Sequence, residues 1–162
     1  MHFLLTNDDG IQAPGLAALE RAIGAIPGSA LTVVAPATEQ SQCGHRVTTR
    51  ETLLVRQLAP APDDDIVLKP RHSAFFGTAL ETLLDDQKID TLVVLGISAE
   101  SCVWMTACDA HTRGFRLVVP ADTMAGASNR ALRATLTGLE EVLGARVPAQ
   151  ARSLRFTSGK LR

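Results

Sequence analysis

Short apolar runs alternate with amphipathic segments along most of the chain. Phe3 to Thr6 is an apolar run that suits a buried strand and is too short for a helix. The polar turn Asn7-Asp8-Asp9-Gly10 follows it. Ala13-Pro14-Gly15 then opens a helix through about Ala25, with Leu16, Leu19, Ala22 and Ile23 at helical spacing. Pro27-Gly28 stops that helix, and Leu31 to Ala35 forms a second buried strand before Pro36. This β-α-β opening predicts a parallel sheet with right-handed crossovers.

Thr38 to Gly44 is a polar loop, and Arg46–Thr49 with Thr52–Arg56 fits a small hairpin. The stretch from Leu58 to Asp65 is Pro-rich and then acidic, which marks a connection rather than a domain boundary. Ile66 to Lys69 reads as the next strand, stopped by Pro70. Thr78 to Asp86 is a helix with Leu80, Leu83 and Leu84 on one side. Thr91 to Leu95 is the strongest strand, followed by a helix over Ser101 to Thr112 and a Gly114 placed as a C′ residue. Phe115 to Val119 reads as a strand and Asn129 to Leu143 as a closing helix. The order predicts one α/β domain over residues 1–162: a Rossmann-like three-layer α/β/α sandwich with about five mainly parallel strands.

Composition narrows the function classes. A chain of 162 residues with 46% hydrophobic and 20% charged residues is globular and long enough to bury a core. A net charge of -1 gives no overall field for nucleic acid or an anionic membrane. Arg146, Arg152, Arg155, Lys160 and Arg162 make residues 146–162 a basic tail, read as solvated, with phosphate binding as the alternative. The start lacks a signal-peptide pattern, and no apolar run is long enough to span a bilayer. Cys43, Cys102 and Cys108 cannot all pair within one chain, and their spacing fits no zinc motif. A reducing cytoplasm is the expectation. There is no Gly-x-Gly-x-x-Gly and no P-loop, so a nucleoside triphosphate or dinucleotide site lacks support.

Two features carry chemistry. Asp8 and Asp9 fall at the carboxyl end of the first strand, where open parallel sheets bind ligands. Adjacent carboxylates repel unless a cation or donors compensate. Mg or Mn would serve, with Ser41 adding an oxygen; the alternative is an Asx-turn accepting backbone N–H bonds. Cys102 starts a helix after the strongest strand, where partial positive charge favours a thiolate and free N–H groups can hold an oxyanion. An ordinary thiol titrates near a pKa of about 8.5, so a nucleophile needs such help. Lys69 and Asp8 end two strands at the same edge, so the three side chains could converge on one site. The alternative is an inert buried cysteine. Cys108 reads as packing, and Trp104 and Met105 as core or pocket wall. His45 and His72 either face the site or sit in exposed loops, and Asp122 lies at the ligand edge or caps a loop.

Two longer strings resemble known families. LLTNDDGIQAPGLAAL followed by VVAPATEQSQCGHRVTT, about residues 1–57, resembles the SurE family of metal-dependent nucleoside-monophosphate phosphatases. That resemblance implies a Mg or Mn site at Asp8, Asp9 and Ser41. The fourth position, an asparagine in the family pattern, is Ser98 here. Residues 58–145 resemble the isochorismatase-like cysteine hydrolases, which include nicotinamidases and N-carbamoylsarcosine amidases. The strings are Ile66-Val67-Leu68-Lys69, Ser73-Ala74-Phe75-Phe76-Gly77-Thr78 and IDTLVVLGISAESCVWMTACDAHTRGFRLVVPADTMAG. This second resemblance implies no cofactor, Cys102 as nucleophile and Lys69 as its electrostatic partner. Laying Phe3 to Asp8 on that family's aspartate strand makes Asp8 the general base. The resemblance also implies a cis peptide at Ile97-Ser98 and an oxyanion site built by Ile97, Ser98 and Ser101.

The chain thus reads as a SurE-type beginning joined to an isochorismatase-type end. The expected function is hydrolysis of a small amide or related small molecule through Cys102. The alternatives are a divalent-metal phosphatase and a hybrid scaffold without efficient catalysis. A homo-oligomer is compatible with either enzyme; nucleic acid and membrane are not expected partners.

Overall fold

Five strands lie in one parallel sheet in the computed structural model, which describes residues 2–7, 30–35, 65–154, 156–157 and 160–161. They are β1 (His2–Asn7), β2 (Ala30–Ala35), β3 (Asp65–Leu68), β4 (Thr91–Ile97) and β5 (Arg116–Val118), in the spatial order β3-β2-β1-β4-β5. Every neighbouring pair is parallel. Phe3 aligns with Leu31 on one side and Val93 on the other. The sheet direction reverses its sequence order at β1, beside β4, which is where open α/β sheets form their ligand crevice. The expected parallel sandwich is therefore present, with five strands.

The middles of the central strands are mostly apolar, and their side chains on both faces are buried. Leu4, Val34, Leu92 and Val94 pack on one face against Leu80, Leu84, Val103, Ala107 and Leu139 from the helices. Phe3, Leu5, Val33, Val93 and Leu95 alternate with them along the strands and are equally buried. A parallel sheet covered on both faces reads as continuous hydrophobic runs, as these do.

The described helices are α1 (Leu80–Asp86), α2 (Trp104–Thr112) and α3 (Asn129–Glu141), with a π-helical turn, Ala99–Val103, leading directly into α2. Among the described residues, no helix is long and apolar enough to cross a membrane. The Ser128 side chain caps α3 by accepting the Ala131 N–H at 3.1 Å. Gly138 lets α3 approach α2: a β-carbon there would lie 3.0 Å from the Trp104 ring.

Arg146 was expected to open a solvated tail. Instead, its backbone pairs beside β5, with N–H to Leu117 O at 2.9 Å and O from Val119 N–H at 2.8 Å. Those bonds cover an exposed sheet edge that would otherwise leave donors and acceptors unpaired. Further on, β6 (Phe156–Thr157) and β7 (Lys160–Leu161) form a two-stranded antiparallel ribbon. The expected helix over 13–25, the loop over 38–44 and the hairpin over 46–56 lie outside the described residues.

Candidate active site

Lys69 is the first residue beyond β3 and is only 5% exposed. A buried ammonium needs acceptors to offset its lost hydration. Its Nζ donates to the Arg71 carbonyl at 3.1 Å, the His72 carbonyl at 3.0 Å and Cys102 Sγ at 3.2 Å. The backbone of Arg71 and His72 curls around the amine and leaves it aimed at the sulfur.

Cys102 reaches that point from the opposite direction. β4 ends at Ile97, the Ile97–Ser98 peptide is cis as the family resemblance implied, and the π-helical turn follows. Within the turn, the N–H groups of Ser101 and Val103 both donate to Ser98 O, at 3.2 and 3.3 Å. The Ala99 N–H donates to Ala125 O at 2.8 Å, which ties the turn to the chain beyond β5. Cys102 is wholly buried in this turn. The ammonium in contact with its sulfur favours the thiolate over the thiol. The Ser101 N–H, counted among the expected oxyanion donors, is already engaged inside the turn. Gly96 makes the approach of the strands possible. Its φ is +132°, and a β-carbon there would collide with the Thr6 carbonyl of β1.

His72 also meets the sulfur. Its Nδ1 lies 3.7 Å from Cys102 Sγ and 3.2 Å from Ser101 Oγ. A set of contacts from α2 holds the loop that carries Lys69 and His72. Ser73 Oγ donates to Asp109, and the Ala74 N–H donates to Thr106 Oγ1 at 3.0 Å. Arg113 braces the same region, paired with Glu81 at 2.9 Å and stacked 4.8 Å from the Phe75 ring centre. Both sides of the site therefore hang on α2, one through the covalent chain and one through these bonds.

Glu100 fixes the other flank of the turn. Its Oε1 accepts the Ala127 N–H at 2.7 Å, and Gly126 gives it room, since a β-carbon there would sit 2.6 Å from Oε2. Burial raises its pKa, but the backbone N–H groups of Ala127 and of Glu100 itself and the Ser98 hydroxyl outweigh burial and hold it below the ordinary value.

The structure thus brings Lys69 and Cys102 together and adds His72. Asp8, Asp9, Ser41, Cys43 and His45 lie outside the described residues. Asn7, the residue before Asp8, aligns with Ile97, so the end of β1 runs beside the start of the cysteine turn. Ser98 is the one metal-site position of the alternative reading that is described, and its hydroxyl serves Glu100. Among the described residues, no three His, Cys, Asp or Glu side chains are grouped to hold a metal ion. Cys108 lacks a setting like that of Cys102: burial, and then Asp109, push its thiol pKa up, which disfavours the thiolate. Asp122 caps a loop by accepting the Ala151 N–H at 2.8 Å. Met105 was expected in the core or a pocket wall, but it is exposed on α2. The Ser73–Asp109 and Glu100–Ala127 contacts had no signal in the sequence, since each joins residues that only the fold brings together.

Comparison with known proteins follows the same lines. The isochorismatase domain model matches residues 33–149. An uncharacterized isochorismatase family protein, YaaI of Bacillus subtilis, is 33% identical over 111 residues, 68% of this chain and 60% of its own length. N-carbamoylsarcosine amidase of an Arthrobacter species is 44% identical over 68 residues, 42% of this chain and 26% of its own. The chain therefore spans less than two thirds of the length of either relative. An isochorismatase-like hydrolase from Alkaliphilus metalliredigens shares the fold, with a TM-score of 0.69 at 24% identity over 91% of this chain and 92% of that one. Partial matches go to proteins named 5'-nucleotidase SurE: that of Wolinella succinogenes is 39% identical over 101 residues, and that of Geotalea uraniireducens 57% identical over 53 residues, 33% of this chain and 21% of its own. On the domain match and the fold together, the chain belongs to the isochorismatase family.

Proposed function

We propose that the chain is a cysteine hydrolase that cleaves a C–N bond in a small amide or ureido compound. The observation that carries this reading is the 3.2 Å contact between buried Lys69 Nζ and Cys102 Sγ. In this scheme Lys69 holds Cys102 as a thiolate. The thiolate adds to the carbonyl carbon, a C–S bond forms, and the carbonyl electron pair moves to oxygen. In this scheme the turn running from Ile97 through Ser98 to Ser101 shapes the oxyanion position, although the Ser101 N–H is itself bonded to Ser98 O. The pair returns, the C–N bond breaks, and the nitrogen leaves with the proton that Asp8 had taken from the Cys102 thiol. Water then adds to the thioester, Asp8 takes its proton as general base, and the C–S bond breaks to return the thiolate. The amidase among the relatives supports this substrate class.

The same reading treats residues 1–162 as one domain. Segment 1–57 supplies β1 and β2, and segment 58–145 supplies β3, β4 and β5, so the join lies within one sheet. The partial SurE-named matches, over 53 to 101 residues, lend the SurE-like beginning some support.

The test is ammonia release from a panel of primary amides and N-carbamoyl compounds. Activity that survives EDTA and is lost on carbamidomethylation of Cys102 is the expected result. Phosphate release from nucleoside monophosphates that needs Mg or Mn and survives Cys102→Ala would support the metal reading at Asp8, Asp9, Ser41 and Ser98 instead. Turnover on neither panel would leave a scaffold.

A further inference from the structure

We infer that His72 is a specificity-determining residue: its ring, latched to Ser101, guards the sulfur of Cys102 and restricts the substrate to a slim acyl group; this rests on the cysteine-hydrolase reading. Cys102 shows no surface to solvent, yet a hydrolase must bring a carbonyl carbon to its sulfur. Two described side chains lie against that sulfur, Lys69 Nζ at 3.2 Å and His72 Nδ1 at 3.7 Å. Lys69 is itself buried, whereas His72 and Ser101 are both half-buried. Among the described residues, the way from solvent to the sulfur therefore runs past the His72 ring and the Ser101 hydroxyl, which meet at 3.2 Å.

The parts around this contact differ in how they can move. Lys69 cannot swing aside without stranding a buried ammonium from the carbonyls of Arg71 and His72. The turn backbone is fixed by the Ala99 N–H on Ala125 O at 2.8 Å and by the two bonds to Ser98 O. The loop on the other side is fixed by the Ala74 N–H on Thr106 Oγ1 and by Ser73 on Asp109. The His72–Ser101 contact joins two side chains and opens by rotation about their own bonds, while Lys69 still holds the His72 carbonyl. Turning one imidazole away uncovers a slot the width of a ring between two fixed walls. The slot is lined by a ring nitrogen and a hydroxyl, each of which can donate or accept a hydrogen bond. A carbamoyl or short acyl group, whose substituent is an amino group or a small chain, fits that slot. An aromatic acyl group meets the ring and leaves the two polar groups unpaired.

The experiment lets iodoacetamide and N-phenyliodoacetamide compete for Cys102 in one sample, with site-resolved mass spectrometry as the readout and free glutathione as the reference for intrinsic reactivity. Both reagents attack through the same thiolate, so any change in its population cancels in their ratio. Wild type, H72A, H72S and H72Q are compared after their melting curves show that they are folded. Wild-type Cys102 is expected to prefer the small reagent well beyond glutathione. That preference falls about tenfold or more in H72A and H72S, and H72Q, which refills the space, keeps it. A preference that is the same in wild type, H72A and H72S would overturn the role of His72 and leave the cysteine-hydrolase reading standing. A preference that falls as expected in a wild-type protein releasing ammonia from none of the amides would overturn the hydrolase reading and leave His72 as the guard of the sulfur.

Discussion

At the scale of the residue, the site is a problem of placing a cation in a dry interior. Lys69 is 5% exposed, and the three acceptors around its ammonium offset the lost water. Replacing it by Met keeps the bulk and removes the charge. Lys69→Met should slow the reaction of Cys102 with iodoacetamide at pH 7 by about tenfold or more, because less of the sulfur is thiolate; an unchanged rate would remove Lys69 from the account. Gly96 is a sharper case. Its φ of +132° strains any other residue, and a β-carbon would meet the Thr6 carbonyl in the middle of the sheet. Gly96→Ala should cost about 4 kcal/mol or more in denaturant unfolding. The sequence marks Lys69 and Cys102 as chemically notable, because strand ends and helix starts can be located from hydrophobic pattern alone. It does not reveal the positive φ at Gly96 or the contact of His72, since both depend on partners dozens of residues away.

At the scale of the element, α2 positions both halves of the site. The Ala74 N–H is buried and bonds Thr106 Oγ1. Thr106→Val keeps the shape but strands that donor, so it should cost about 1–3 kcal/mol and lower kcat more than it raises KM, as the loop carrying Lys69 shifts. Glu100 gives a pH signature. Its folded-state pKa is held down, so its contribution is present above the unfolded carboxylate range and is lost as pH falls through the folded value. The advantage of wild type over Glu100→Gln in thermal melts should therefore be fullest near neutrality and vanish in acid; an advantage that grew in acid would reverse the assignment. Boundaries were less legible than elements. The helix expected from Thr78 starts at Leu80, because the Thr78 hydroxyl donates to Ala74 O at 2.6 Å and accepts the Leu80 N–H at 3.2 Å, acting as a cap outside the helix. The helix expected from Ser101 is preceded by a π-helical turn, which the 3.6-residue period does not describe.

At the scale of the whole molecule, the sheet order decides how the two sequence segments relate. The order β3-β2-β1-β4-β5 places the strands of segment 1–57 between strands of segment 58–145. β1 pairs with β4 and β2 with β3, so strands of both segments share one sheet, and Leu4 and Val34 of the first pack in the same core as the residues of the second. Urea unfolding followed by tryptophan fluorescence and circular dichroism should give one coincident transition, and fragments 1–57 and 58–162 should not fold apart. Two separated transitions would mean two domains. The parallel sandwich was legible because strands buried on both faces announce themselves as short apolar runs between helical patterns. The pairing of β1 with β4 and of β2 with β3 was not, because register between distant stretches of chain leaves no local trace.

The central claim is that Cys102 is the nucleophile, and it is tested most directly by ammonia release from the best amide of the panel, compared between wild type and Cys102→Ala. The account predicts a loss of kcat of about a thousandfold or more in a variant that melts like wild type. A Cys102→Ala protein that keeps its activity within about tenfold would contradict it.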